Sequence, residues 1–196
     1  MGRPFRRTRA GVRVQLPAGE RTLVARLLDD VGGLLVASVA ERERSAVLDS
    51  ATDGDVLAAL EVQLTIPPPS DPAVARLLPD GNRDDPELAA GYRRLTEHGL
   101  RERKRAGLEL ASAALSRDDP VVLNQTEVAA LLKGLTDVRL VLAERLGLRT
   151  DEDAETLHDS LVRVVAVDDP EMAAVALYDA LTWWQESLIS VLHRGG

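Results

Sequence analysis

The chain has no cysteine, two lysines (Lys104 and Lys133), 3% aromatic residues and no long apolar run. Without cysteine there is no thiolate nucleophile, no thiol redox switch and no cysteine-ligated zinc. The longest uninterrupted apolar run is the seven residues Met172–Tyr178, and Val31–Ala40 is broken by Gly and Ser. That is far short of the roughly 20 residues of a membrane-spanning helix. The basic opening up to Arg13 is not followed by the apolar stretch of roughly 7–15 residues that a secretory signal requires. The expected location is therefore the cytoplasm, with no membrane partner. The scarcity of lysine beside abundant Arg and Ala reflects a GC-rich genome rather than a mechanism.

What is present describes an ordinary folded domain: 196 residues, 45% hydrophobic and 29% charged. A chain of this length buries roughly 70% of its unfolded surface and needs no disulfide or metal staple. Its net charge of −8 argues against general, salt-driven binding of nucleic acid.

Phe5–Thr8 and Val12–Leu16 flank Arg9-Ala10-Gly11, with Val12, Val14 and Leu16 alternating at period two. This predicts an N-terminal β-hairpin with Gly11 at a position of positive φ. After Pro17 the apolar period lengthens: Val24, Leu27, Leu28, Val31, Leu34, Leu35 and Val39 predict one amphipathic helix over 18–41, weakened at Gly32-Gly33. A polar stretch to Asp55 and a short helix over 56–64 are expected next. Six of the ten prolines fall between Pro67 and Pro86, which predicts an irregular connection with one helical turn around Ala73–Leu78.

Asp-Asp-Pro occurs at 84–86, 118–120 and 168–170. An Asp N-cap followed by Pro at the first helical position is helix punctuation. Asn124 with Glu127 makes a better capping box than the second copy. Helices are expected over 86–117, 125–147, 151–165 and 170–193. The 125–147 segment is apolar nearly all round and should be central. The predicted fold is mainly α: a single-domain helical bundle with a small N-terminal β-hairpin. Residues 1–17 form the arm, 18–66 the N-terminal helices, 67–86 the Pro-rich connection and 87–196 the C-terminal helices.

Enzymatic parts are not in view. His98, His158 and His193 lie far apart, without a nucleophile elbow, P-loop or dinucleotide-binding glycine pattern. Glu155 and His158 supply one Glu-x-x-His, where a di-metal bundle needs two. No metal or cofactor is expected, and the chain is read as no enzyme.

Charge segregation is more informative. Residues 1–13 carry a local +5 and residues 93–105 a local +4, leaving −17 on the remainder. Arg6, Arg7 and Arg9 on the arm, with Arg94, Arg101 and Arg105 on a helical stripe about 40° wide, are candidates for contact with nucleic acid or a protein partner. Asp137 and Arg139 interrupt the most apolar helix and would cost several kcal/mol if buried unpaired. They are expected to be structural ion-pairing residues, with Arg94 or Glu109 on the preceding helix as candidate partners. Trp183 and Trp184 point about 100° apart; either one is an exposed partner anchor or a wide core holds both.

Three segments carry a resemblance: Ala73–Lys104 (AVARLLPDGNRDDPELAAGYRRLTEHGLRERK), Leu135–Leu148 (LTDVRLVLAERLGL) and Tyr178–Leu192 (YDALTWWQESLISVL). The chain resembles the actinobacterial domain-of-unknown-function family that includes the AosR-type oxidative-stress-responsive transcription regulators. The resemblance implies a cytoplasmic regulator of redox and cysteine-biosynthesis genes, acting with RNA polymerase and a stress-type sigma factor, with promoter DNA as a further contact. Two features depart from the pattern. A cysteine-free chain cannot sense redox state by a disulfide, and Thr136 stands where the pattern has Asn. The rival expectation is a protein-interaction adaptor in Clp proteolysis or sulfur metabolism, with no nucleic acid. A metal-dependent bundle built on Glu155 and His158 is the third. Self-association into a homodimer stays open.

Overall fold

The computed structural model describes residues 4–52, 67–82, 84–148, 153 and 170–193. The expected helix over 56–64, and that over 151–165 apart from residue 153, with Glu155 and His158, lie outside the described residues. The N-terminal hairpin pairs β1 (Phe5–Thr8) with β2 (Gly11–Val14) in antiparallel register, Phe5 opposite Val14 and Arg6 opposite Arg13. Gly11 has φ +137°, and a Cβ there would fall 2.2 Å from the carbonyl oxygen of Leu123. Both the turn and the close approach of the next strand require glycine.

That next strand, β3 (Val122–Leu123), extends the hairpin to a three-stranded sheet in the order β1-β2-β3. The hairpin is therefore not a free arm. Phe5, Val12, Val14 and Leu16 are buried in the main core, because the period-two face seen in the sequence is turned onto the helices.

Helix α1 (Ala18–Thr52) runs past its expected end at 41 into the polar stretch, and Gly32-Gly33 does not interrupt it. Two adjacent glycines cost about 1 kcal/mol each in helix propensity, and the packing of α1 outweighs that. A single turn, α2 (Pro72–Leu77), is capped by Asp71 inside the proline-rich connection. Helix α3 (Pro86–Leu115) begins at the first Asp-Asp-Pro, with the Asp85 side chain accepting from the Glu87 and Leu88 amides. The second Asp-Asp-Pro lies in the loop before β3, as the better capping box downstream implied. Helix α4 (Gln125–Arg145) opens on that reciprocal Asn124/Glu127 box. Helix α5 spans Pro170–His193.

Helix α4 is the hub of the bundle: α1, α2, α3, α5 and β3 all pack against it. Its nearly all-round apolar sequence needed this many neighbours. At Gly134 helix α1 comes so close that a Cβ would lie 2.5 Å from Leu28 Cδ2. No described helix is long and apolar enough to cross a membrane.

Candidate functional site

The sheet fixes a cationic edge to the body. Period-two alternation turns Phe5, Val12 and Val14 inward and Arg6 and Arg13 outward, and Arg9 is exposed in the turn between the strands. Arg6 and Arg13 face each other directly across the ladder. Like charges in that position are destabilising to a sheet. Arg7 shares the inward face of β1 but sits at its margin, exposed, and its Nη1 donates to the Leu192 carbonyl at the end of α5 over 3.5 Å.

Between this hairpin and the start of α4 lies a cleft of about 540 Å³. Its floor is aliphatic (Val12, Leu123, Val128, Leu132), and Arg7 and Arg9 stand on its rim. Of the three candidate arginines of the arm, Arg7 and Arg9 border one cleft, and Arg6 stands on the opposite face of β1.

The expected Arg94/Arg101/Arg105 stripe does not form a surface. Arg94 is exposed. Arg101 is turned into the α1–α3 interface, only 6% exposed, because α1 crosses α3 at that level and presents acceptors. There Arg101 donates to the Leu35 carbonyl at 2.8 Å, to Ser38 Oγ at 2.7 Å and to Glu97 at 2.9 Å. Arg42 from α1 reaches the same Glu97 oxygen at 2.8 Å, and Arg93 approaches its other oxygen at 3.9 Å. Glu97 is itself buried, so three guanidinium groups converge on one interior carboxylate. Arg105 stays on the surface and pairs with Glu102 and Glu109 of its own helix. Its guanidinium holds the Glu102 carboxyl below the ordinary carboxylate range, chiefly through the hydrogen bond between them.

Asp137 is buried and Arg139 half-buried, and each bonds to a different helix: Asp137 in the expected ion pair, Arg139 instead with neutral groups. Asp137 accepts from Lys104 of α3 at 2.6 Å, not from Arg94. Arg139 donates to Gln185 Oε1 at 2.9 Å and Tyr178 Oη at 3.2 Å on α5, and lies 5.0 Å from the Tyr178 ring centre. Residues two apart on a helix point about 200° apart, so one cannot serve the other. Trp184 is buried at 4% exposure and Trp183 is 38% exposed, which settles the choice between a split pair and a wide core in favour of the split.

Sequence reasoning missed Glu97 as an anchor, although Arg93, Glu97 and Arg101 stand at successive i,i+4 positions that signal it. It also missed β3, whose two residues are too few for any pattern. No group of three or more potential metal ligands occurs among the described residues.

An apolar strip lies elsewhere on α3. Leu88, Tyr92 and Leu95, at i, i+4 and i+7, are 52%, 51% and 77% exposed.

No curated protein and no solved structure matches the chain. The profile of one family, described as a domain of unknown function (DUF2017), matches residues 2–192. With nearly the whole chain covered, the protein belongs to the DUF2017 family.

Proposed function

We propose that the protein is a non-enzymatic cytoplasmic regulator that works through macromolecular contacts made by its N-terminal sheet. It acts at promoters with RNA polymerase and a stress-type sigma factor, as the resemblance to AosR-type actinobacterial regulators implies. The observation that carries this reading is the exposed positive charge of the N-terminal sheet. Arg6, Arg9 and Arg13 are exposed on a sheet anchored in the core, with Arg6 and Arg13 opposed at a cost to stability. Positive charge gathered on an exposed sheet suits contact with an anionic partner. Any response to oxidants comes through a partner or through a residue other than cysteine, since the chain has none.

Alanine at Arg6, Arg7 and Arg9 together should weaken association with RNA polymerase holoenzyme or a promoter fragment at least tenfold while leaving the circular dichroism spectrum intact. Unchanged association by the folded triple variant overturns the assignment.

The adaptor reading has its own support in the exposed Leu88/Tyr92/Leu95 strip, an apolar face suited to a protein contact without nucleic acid. A salt series separates the two. Contacts through several arginines to phosphates weaken steeply between 50 and 200 mM salt, roughly tenfold or more, whereas an apolar contact does not.

A further inference from the structure

We propose that the cleft under the N-terminal hairpin is a docking site for an acidic, amphipathic peptide segment of a protein partner. This rests on the regulator reading above and names the chemistry of the contact. The cleft measures about 540 Å³, inside the range of roughly 300–1,000 Å³ of sites that hold small ligands or a few side chains. Its floor is aliphatic, from Val128 and Leu132 of α4 and Leu192 of α5, and its rim carries Arg7 and Arg9.

Apolar floor and cationic rim together require an occupant with both characters. Leu, Ile or Phe side chains fill the floor, and Asp or Glu beside them meets the guanidinium groups in bidentate geometry. The first thirteen residues carry no acid, so an incoming carboxylate meets little local repulsion. Exposed residues Arg9, Asn124, Gln125 and Ala129 leave the cleft open along its length, which admits a chain segment and suits an enclosed lipid tail poorly. Nucleic acid satisfies only half of the site: phosphates could reach Arg7 and Arg9, but no aromatic lining residue offers a platform for base stacking.

The test pans a phage-displayed library of random dodecapeptides against the full-length chain, then measures binding of the enriched peptides by fluorescence anisotropy. Three proteins are compared: the unaltered chain, Arg7→Glu/Arg9→Glu, and Ala129→Trp, which fills the cleft from an exposed position of α4. Circular dichroism checks that both variants are folded.

The proposal expects enriched peptides that place Asp or Glu next to Leu, Ile or Phe. Their affinity should drop at least tenfold in both variants, and also when the peptide acids become amides. Enrichment without that pairing, or binding that survives Ala129→Trp, overturns it. So does self-association that occupies the cleft, seen as a concentration-dependent mass lost in Ala129→Trp. A promoter fragment assayed in parallel identifies the nucleic-acid outcome: binding that depends on the arginines but ignores Ala129→Trp rejects the cleft and keeps the regulator reading. Polymerase association unchanged in both variants, while the peptides bind the unaltered chain and lose affinity in both, rejects the regulator reading and keeps the cleft.

Discussion

Glu97 shows how much one side chain can hold. Its Oε1 accepts from Arg42 of α1 and from Arg101 of its own helix, and Arg101 in turn binds the α1 backbone at Leu35 and the Ser38 hydroxyl. Glu97 Oε2 and one guanidinium nitrogen each of Arg42 and Arg101 are buried without a hydrogen bond. The cluster therefore already bears a desolvation cost that the Glu97 charge offsets. Glu97→Gln keeps the shape and removes that charge, leaving two interior guanidinium groups without their counter-ion. The expected loss is about 3–5 kcal/mol, read as a lower midpoint in urea unfolding with an unchanged slope. A loss below about 1 kcal/mol would mean that Arg42 and Arg101 find water when the carboxylate is gone. The i,i+4 spacing of Arg93, Glu97 and Arg101 was visible in the sequence. Which of them faces inward was not, because an ion pair on a helix reads the same whether water or another helix covers it.

At the level of elements, helix starts were the most legible feature. Asp85 before Pro86 and Asn124 before Gln125 cap α3 and α4 as their side-chain chemistry dictates. Lengths were less so: α1 continues to Thr52, since polar residues past Val39 do not end a helix unless a breaker follows. The α1–α4 contact turns on Gly134, whose bare backbone accepts Leu28 at 0% exposure. Gly134→Ala gains about 1 kcal/mol of helix propensity and loses about 1–3 kcal/mol by overpacking, so a net destabilisation of about 1 kcal/mol is expected. Leu28→Val removes the Cδ2 atom that the new methyl would strike. Combined, the two should be less harmful than their sum by about 0.5–3 kcal/mol, measured as a double-mutant cycle in urea. Strict additivity would show that α1 shifts away rather than crowding Leu28.

For the whole molecule, the short segment around α2 is stitched to the far end of α4. Arg145 donates to Asp71 at 2.5 Å, and Arg76 pairs with Glu144 at 2.9 Å. Burial alone would raise the Asp71 pKa, but the Arg145 guanidinium and the Ala73 and Val74 amides together outweigh it and hold the carboxyl below its ordinary value of 3.8. A carboxyl lowered in the folded state stabilises the fold above its unfolded pKa, and that contribution is lost as pH falls through the lowered folded value. Asp71→Asn keeps an N-cap acceptor and removes the charge. At pH 7 it should cost less than about 1 kcal/mol, since Arg145 is half exposed. Thermal unfolding followed from pH 5 to pH 2 should show the two proteins converging only below pH 3.8. A gap that persists at pH 2 would point to the cap geometry rather than the charge.

The sequence by itself determined the mainly helical class, the hairpin and its Gly11 turn, the caps, the central α4 and the segregation of positive charge toward the N-terminus. All of these follow from local chemistry: side-chain period, backbone preference and capping depend on near neighbours in the chain. Only the tertiary structure decided that the hairpin is anchored by β3 and roofs a cleft. It also decided that Arg101 is interior while Arg94 is exposed, and that Asp137 and Arg139 bond to opposite helices. Each depends on which element covers a given face at a given height. That is set by long-range packing, whose partners lie tens of residues away and leave no periodic trace in the segment that receives them.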